Sequence, residues 1–159
     1  MSTATETTDA ETTAELGGDW KAGVVGGIVG AAAMGVVVLG MNPPTLTVAI
    51  PSLYGLAPPE SAASGLFVHL SHGAVLGVAF AAIVGVVDPD SPRETVAAGA
   101  VWGVVTWAVL AALVMPIWLS TVGSPAQPPF PNFAPPSLLW HLVYGVVLGA
   151  VYVALDGEL

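Results

Sequence analysis

The stretch GLFVHLSHGAVLGVAFAAIVGVV, Gly65–Val87, decides the fold. It contains no Asp, Glu, Lys or Arg. A helix of about 20 apolar residues is long enough to cross the hydrocarbon core of a bilayer. Only helices and closed barrels keep every backbone amide paired in lipid. The stretch lacks the strict alternation of a barrel strand, so it reads as a transmembrane helix.

Working outward, three further stretches have the same character, at about 22–41, 95–119 and 137–155. The rest of the 159-residue chain agrees. Hydrophobic residues make up 55% and charged residues 8%. A soluble domain carries about 25% charged residues. The chain therefore cannot cover itself with a water-facing surface, and a bilayer is its expected partner. The predicted fold class is all-α, a polytopic membrane protein of four helices over residues 21–159.

Residues 1–20, MSTATETTDAETTAELGGDW, lack the basic start and apolar core of a signal peptide. They are acidic and poor in apolar surface, which predicts a disordered tail.

His69–Gly77 is HLSHGAVLG, and His141–Gly149 is HLVYGVVLG. The shared pattern is H-L-x-x-G-x-x-L-G, offset by 72 residues. The first and third spans match at an offset of 73, pairing Gly26 with Gly99, Gly30 with Gly103 and Pro43 with Pro116. Two spans per copy predicts two tandem hairpins entering the membrane in the same direction, a parallel internal repeat. Each span carries a Gly-x-x-x-Gly pair: Gly26/Gly30, Gly73/Gly77, Gly99/Gly103 and Gly145/Gly149. Small residues at this spacing let helix backbones approach closely, within one chain or between copies of it.

Two cations, Lys21 and Arg93, fall on one side of the four-span topology. The positive-inside rule puts that side, with both termini, in the cytoplasm and the protein in the cell membrane. Ten of the eleven acids lie there too, leaving Glu60 alone on the other side. An acid-rich, lysine-poor face suits a very salty cytoplasm, so a halophilic archaeal source is expected. The outer links, 42–64 and 120–136, are rich in proline. They are predicted to be rigid, semi-apolar loops lying on the outer face.

Two cations cannot neutralise a run of phosphates, which excludes nucleic acid as a partner. The absence of cysteine excludes disulfides, thiolate sites and a cysteine nucleophile. No Ser–His–Asp set, P-loop or dinucleotide fingerprint is present, and the chain is not expected to be an enzyme.

The remaining candidates are three histidines within spans: His69, His72 and His141. Ionisable residues inside a membrane are rare and merit a functional reading. Their ordinary role is polar glue between helices, a neutral imidazole bonding a carbonyl or hydroxyl on a neighbouring helix, with Ser71, Thr106, Tyr144 and Tyr152 as possible partners. The alternative is a ligand set. His69 and His141, at equal depth on separate helices, could hold a haem b iron axially. A three-histidine zinc site is a variant, without a carboxylate to serve as base or second partner.

The run Val114-Met115-Pro116, then Ala134-Pro135, then HLVYGVVLGAVYVAL (His141–Leu155), resembles an uncharacterised family of small four-helix prokaryotic membrane proteins of haloarchaeal type. His69, Gly73 and Gly77 fit its second helix, and the likeness covers about residues 22–155. The resemblance implies the topology and no activity. The expectation is a non-catalytic accessory or structural subunit of a larger membrane complex, in contact with another membrane protein or its own copies. A histidine-ligated haem or metal protein of an electron-transfer system comes second, and a small transporter third.

Overall fold

The computed structural model describes residues 17–159. The predicted tail lies outside the described residues up to position 16. Asp19 and Trp20, its last members, belong to the first helix: Asp19 caps it and Trp20 begins it.

The described chain is helical, with no strand among the described residues. Helix α1 is Trp20–Met41, α3 is Ala62–Val87 and α6 is Pro135–Leu155. The short α2, Ile50–Ser52, follows a π-helical turn at Thr45–Ala49. The third long helix has three parts: α4 at Pro92–Thr106, a π-helical stretch at Trp107–Val114 and α5 at Met115–Thr121. By length and apolar composition, four helices can cross a membrane: Trp20–Met41, Ala62–Val87, Pro92–Thr121 and Pro135–Leu155. All four predicted spans are present, and each helix begins two or three residues earlier than the sequence suggested.

Helix starts follow the capping rules. The Asp19 carboxylate accepts from the amides of Lys21 and Ala22 at 2.9 and 3.0 Å. The bond from Ala22, chief among several, holds that carboxyl below its ordinary 3.8. Ser61 caps α3 and Ser91 caps α4 through the amide three residues on. The amide of Asp19 donates to the Tyr152 hydroxyl at 2.9 Å, tying the start of α1 to the end of α6.

Helix α1 packs against both α3 and α6, and α4 packs against α6, while α3 and α4 barely touch. The four helices thus form an open arc, α3–α1–α6–α4. Glycines set its seams. A Cβ at Gly27 would strike the carbonyl oxygen of Gly73, and one at Gly77 that of Gly23. On the other pair, a Cβ at Gly145 would strike the carbonyl oxygen of Gly99, and one at Gly103 that of His141. These contacts run in register at 72 residues: Gly27 with Gly99, and Gly23 with Thr95, whose carbonyl oxygen lies 3.1 Å from a Cβ at Gly149. The expected 73-residue match of α1 with α4 is therefore one residue out. Gly26 and Gly30 do not share the seam of Gly73 and Gly77. They face α6, where a Cβ would fall 3.0 Å from the Leu148 carbonyl oxygen and 2.7 Å from that of Tyr144.

The first link is not a loop lying on the outside. Leu46, Ala49, Ile50, Pro51 and Ser52 are buried, and the Leu46 carbonyl sits against Gly65 of α3. Proline explains how this segment and the second link are anchored. Pro51 and Pro116 lack the N–H that would pair with the carbonyl four residues back. Those carbonyls belong to Thr47 and Ala112. Each is taken by an amide from later in the chain: Ser61 donates to Thr47 and Asn132 to Ala112, at 3.0 and 2.9 Å.

Candidate functional site

Because α3 and the third long helix diverge, the arc leaves a half-open cleft of about 1050 Å³ at the end that carries the two links. Its walls come from every long helix: Ala31, Met34 and Met41 of α1; His69, His72 and Leu76 of α3; Thr106, Leu110, Ala111 and Met115 of the third helix; Trp140, His141 and Tyr144 of α6. Among the described residues, no carboxylate, lysine or arginine lines it. The volume is at the upper end of ordinary ligand pockets, about 300–1,000 Å³, and the mostly apolar wall with a few polar groups is their usual composition.

The links cover the cleft. Trp118 of α5 donates through Nε1 to the Leu53 carbonyl at 3.0 Å. The Tyr54 hydroxyl and His72 Nε2 share a hydrogen bond of 2.7 Å. Residues 53–54 therefore bridge the gap between α5 and α3. On the other side, the Trp140 indole N–H donates to the Met41 sulfur at 3.2 Å.

The structure brings all three predicted histidines to this cleft; His69 takes a carbonyl on a neighbouring helix, and none of the three bonds the four hydroxyls named from sequence. His69 is buried, and its Nε2–H donates to the Ala31 carbonyl of α1 at 3.0 Å. His141 donates through Nδ1–H to the Ser137 carbonyl of its own helix at 2.7 Å. His72 has Tyr54. The hydroxyls expected to serve them are used elsewhere. Ser71 donates to Phe67, Thr106 to Gly103, Tyr144 to Gly73, and Tyr152 accepts from Asp19. The physical reason is that a helix leaves carbonyl oxygens with a spare lone pair, and a nearby carbonyl competes well with a distant hydroxyl.

These bonds fix tautomers. A carbonyl only accepts, so His69 carries its proton on Nε2 and His141 on Nδ1. His141 is arranged as ligating histidines are, one nitrogen held by a carbonyl and the other carrying a lone pair. His69 has spent its Nε2 on Ala31, so a haem held between two opposed Nε2 atoms loses one ligand. Among the described residues, no three His, Cys, Asp or Glu side chains are grouped to hold a metal ion. That grouping is what the three-histidine zinc variant required.

Sequence reasoning missed several lining residues. Three of the chain's four methionines, Met34, Met41 and Met115, line the cleft, and their placement has no periodic signal. Trp102 and Trp107 carry buried indole N–H groups without a partner among the described residues. Trp107 meets Phe133 edge-on, with ring centroids 5.5 Å apart.

Residues 18–158 match a family of unknown function, DUF6789. The chain belongs to that family. The match spans the whole helical arc and both links, so the cleft of this DUF6789 chain lies wholly inside the family region. No curated protein and no solved structure matches the chain.

Proposed function

We propose that this protein is a non-catalytic integral membrane component that works by holding a small, mostly apolar molecule in the cleft, as an accessory part of a larger membrane system. The observation that carries this reading is the cleft itself. It is large, apolar, roofed by both links and free of charged side chains.

The internal repeat supports the reading by accounting for the opening. If the chain is two tandem hairpins, the α1–α6 seam has a counterpart between α4 and α3. Gly26 and Gly30 let α6 approach α1 closely. The residues 72 further on are Ala98 and Trp102. An indole where the first copy has hydrogen holds the second seam apart. The cleft is then the price of breaking the symmetry at one position. With the cations inside, the cleft opens toward the outer face, within reach of molecules dissolved in the outer leaflet.

The test is a cleft-filling variant. Wild-type protein isolated in lipid nanodiscs should retain an apolar molecule near one per chain, detected by mass analysis of solvent extracts. Ala111→Trp should lose it while melting within a few degrees of wild type. Equal retention by both proteins, or none by either, sinks the proposal.

A further inference from the structure

Four polar side chains of the cleft share a property that points to the chemistry of its ligand. Each has given its proton to a backbone carbonyl. His69 Nε2–H is held by Ala31, His141 Nδ1–H by Ser137, the Tyr144 hydroxyl by Gly73 and the Thr106 hydroxyl by Gly103, at 3.0, 2.7, 3.1 and 3.0 Å. What they have left is lone pairs: one on a ring nitrogen of each histidine and those of the two hydroxyl oxygens. These four groups accept hydrogen bonds and have none of these protons left to give. The donors that line the cleft are other groups, among them Asn42 and Ser137 at helix ends, and the Tyr54–His72 pair, which keeps one proton beyond the one it shares.

We infer that the cleft takes a neutral amphiphile whose head bears a hydroxyl group, the hydroxyl donating to His141 Nε2 and the apolar tail lying along the methionine and leucine wall. This rests on the cleft being a ligand site, as proposed above. An acceptor-only head, such as an ester, ether or ketone, placed against His141 would set lone pair against lone pair there and gain no hydrogen bond. A cation could also use the lone pairs, but the wall offers no carboxylate to balance its charge in an apolar surrounding. His141 is the best-placed acceptor, because the short bond to Ser137 orients the ring and strengthens the opposite nitrogen as a base.

The experiment compares three probes in nanodiscs by isothermal titration: 4-dodecylphenol, its methyl ether 4-dodecylanisole, and protonated 4-dodecylbenzylamine. The phenol should bind about tenfold more tightly than the ether, the effect of one hydrogen bond to a buried acceptor. His141→Phe should bring the phenol down to the ether's affinity and leave the ether within about twofold, which also shows that the variant is folded. Equal binding of phenol and ether by wild type overturns the inference and leaves the cleft reading standing. Tighter binding of the ammonium overturns it in favour of a cation site. Failure of all three probes to bind overturns both readings together.

Discussion

A single methyl group tests the packing at Gly27. Its Cβ would strike the Gly73 carbonyl, which is backbone and cannot swing away. The two helices would have to part along the seam. Gly40, on the same helix, has nothing within 4 Å of its would-be Cβ. Gly27→Ala should therefore cost about 1–3 kcal/mol, as overpacking does. Gly40→Ala should be neutral or stabilise by up to about 1 kcal/mol, because glycine is the more costly residue to order in a helix. Thermal melting in one detergent checks both; equal shifts for the two variants would refute the seam. The sequence carried half of this. GVVGGIVG holds two interleaved Gly-x-x-x-Gly ladders, Gly23/Gly27 and Gly26/Gly30. Neighbouring helix residues point about 100° apart, so the two ladders face different helices. The repeat picks out only the second, by its alignment with Gly99/Gly103, and the spacing alone does not say which helix either ladder faces. Side-chain hydrogen bonds were less legible still. Which carbonyl wins a histidine depends on distances of a few tenths of an ångström, which no spacing rule encodes.

At the scale of elements, long helices announce themselves and irregular ones do not. Four apolar runs correspond to four helices long and apolar enough to cross a membrane, within three residues at every start, because such a helix needs a continuous apolar run and little else. The π-helical stretch Trp107–Val114 has no such signature: its residues are as apolar as the α-helix around it. Pro116 follows it. Its effect is to release a carbonyl, and the link depends on it. Asn132 donates to Ala112 at 2.9 Å, and Phe133 meets Trp107 next door. Pro116→Ala would restore an N–H able to claim the Ala112 carbonyl from within the helix. The helix should gain and the link should lose. Hydrogen exchange should show faster exchange at Asn132 and its neighbours, with no loss of protection in α1, α3 or α6. Unchanged exchange at Asn132 would mean that the amide is held by something other than the proline's vacancy. The same device at Pro51, with Ser61 on Thr47, pins a first link whose buried residues the sequence had assigned to a surface loop. Proline counts made both links look alike; burial separates them, because Gly65 admits Leu46 to the face of α3.

For the whole molecule, the open question is which way the arc faces, and the charges give a sharp expectation. Among the described residues, Asp19, Lys21, Asp88, Asp90, Arg93, Glu94, Asp156 and Glu158 lie at the end with the C-terminus, and Glu60 at the end with the cleft. Acids contribute little to orientation; Lys and Arg near span ends set it. The bias therefore rides on Lys21 and Arg93 alone. The chain contains no cysteine, so single cysteines can be placed without first removing any. Gln127, Asp90 and Glu158 are exposed, the first at the cleft end and the others at the opposite end. On intact cells an impermeant maleimide should label Gln127→Cys. Asp90→Cys and Glu158→Cys should react only after permeabilisation. The reverse pattern would turn the cleft to the cytoplasm and overturn its proposed access from the outer leaflet. Adding Lys21→Ala and Arg93→Ala to each cysteine variant should then erase the asymmetry, with labelling at both ends in both conditions. If the orientation survives that double change, it is set by something other than the positive-inside rule. The acidic termini, which the rule all but ignores, would then be the next charges to remove.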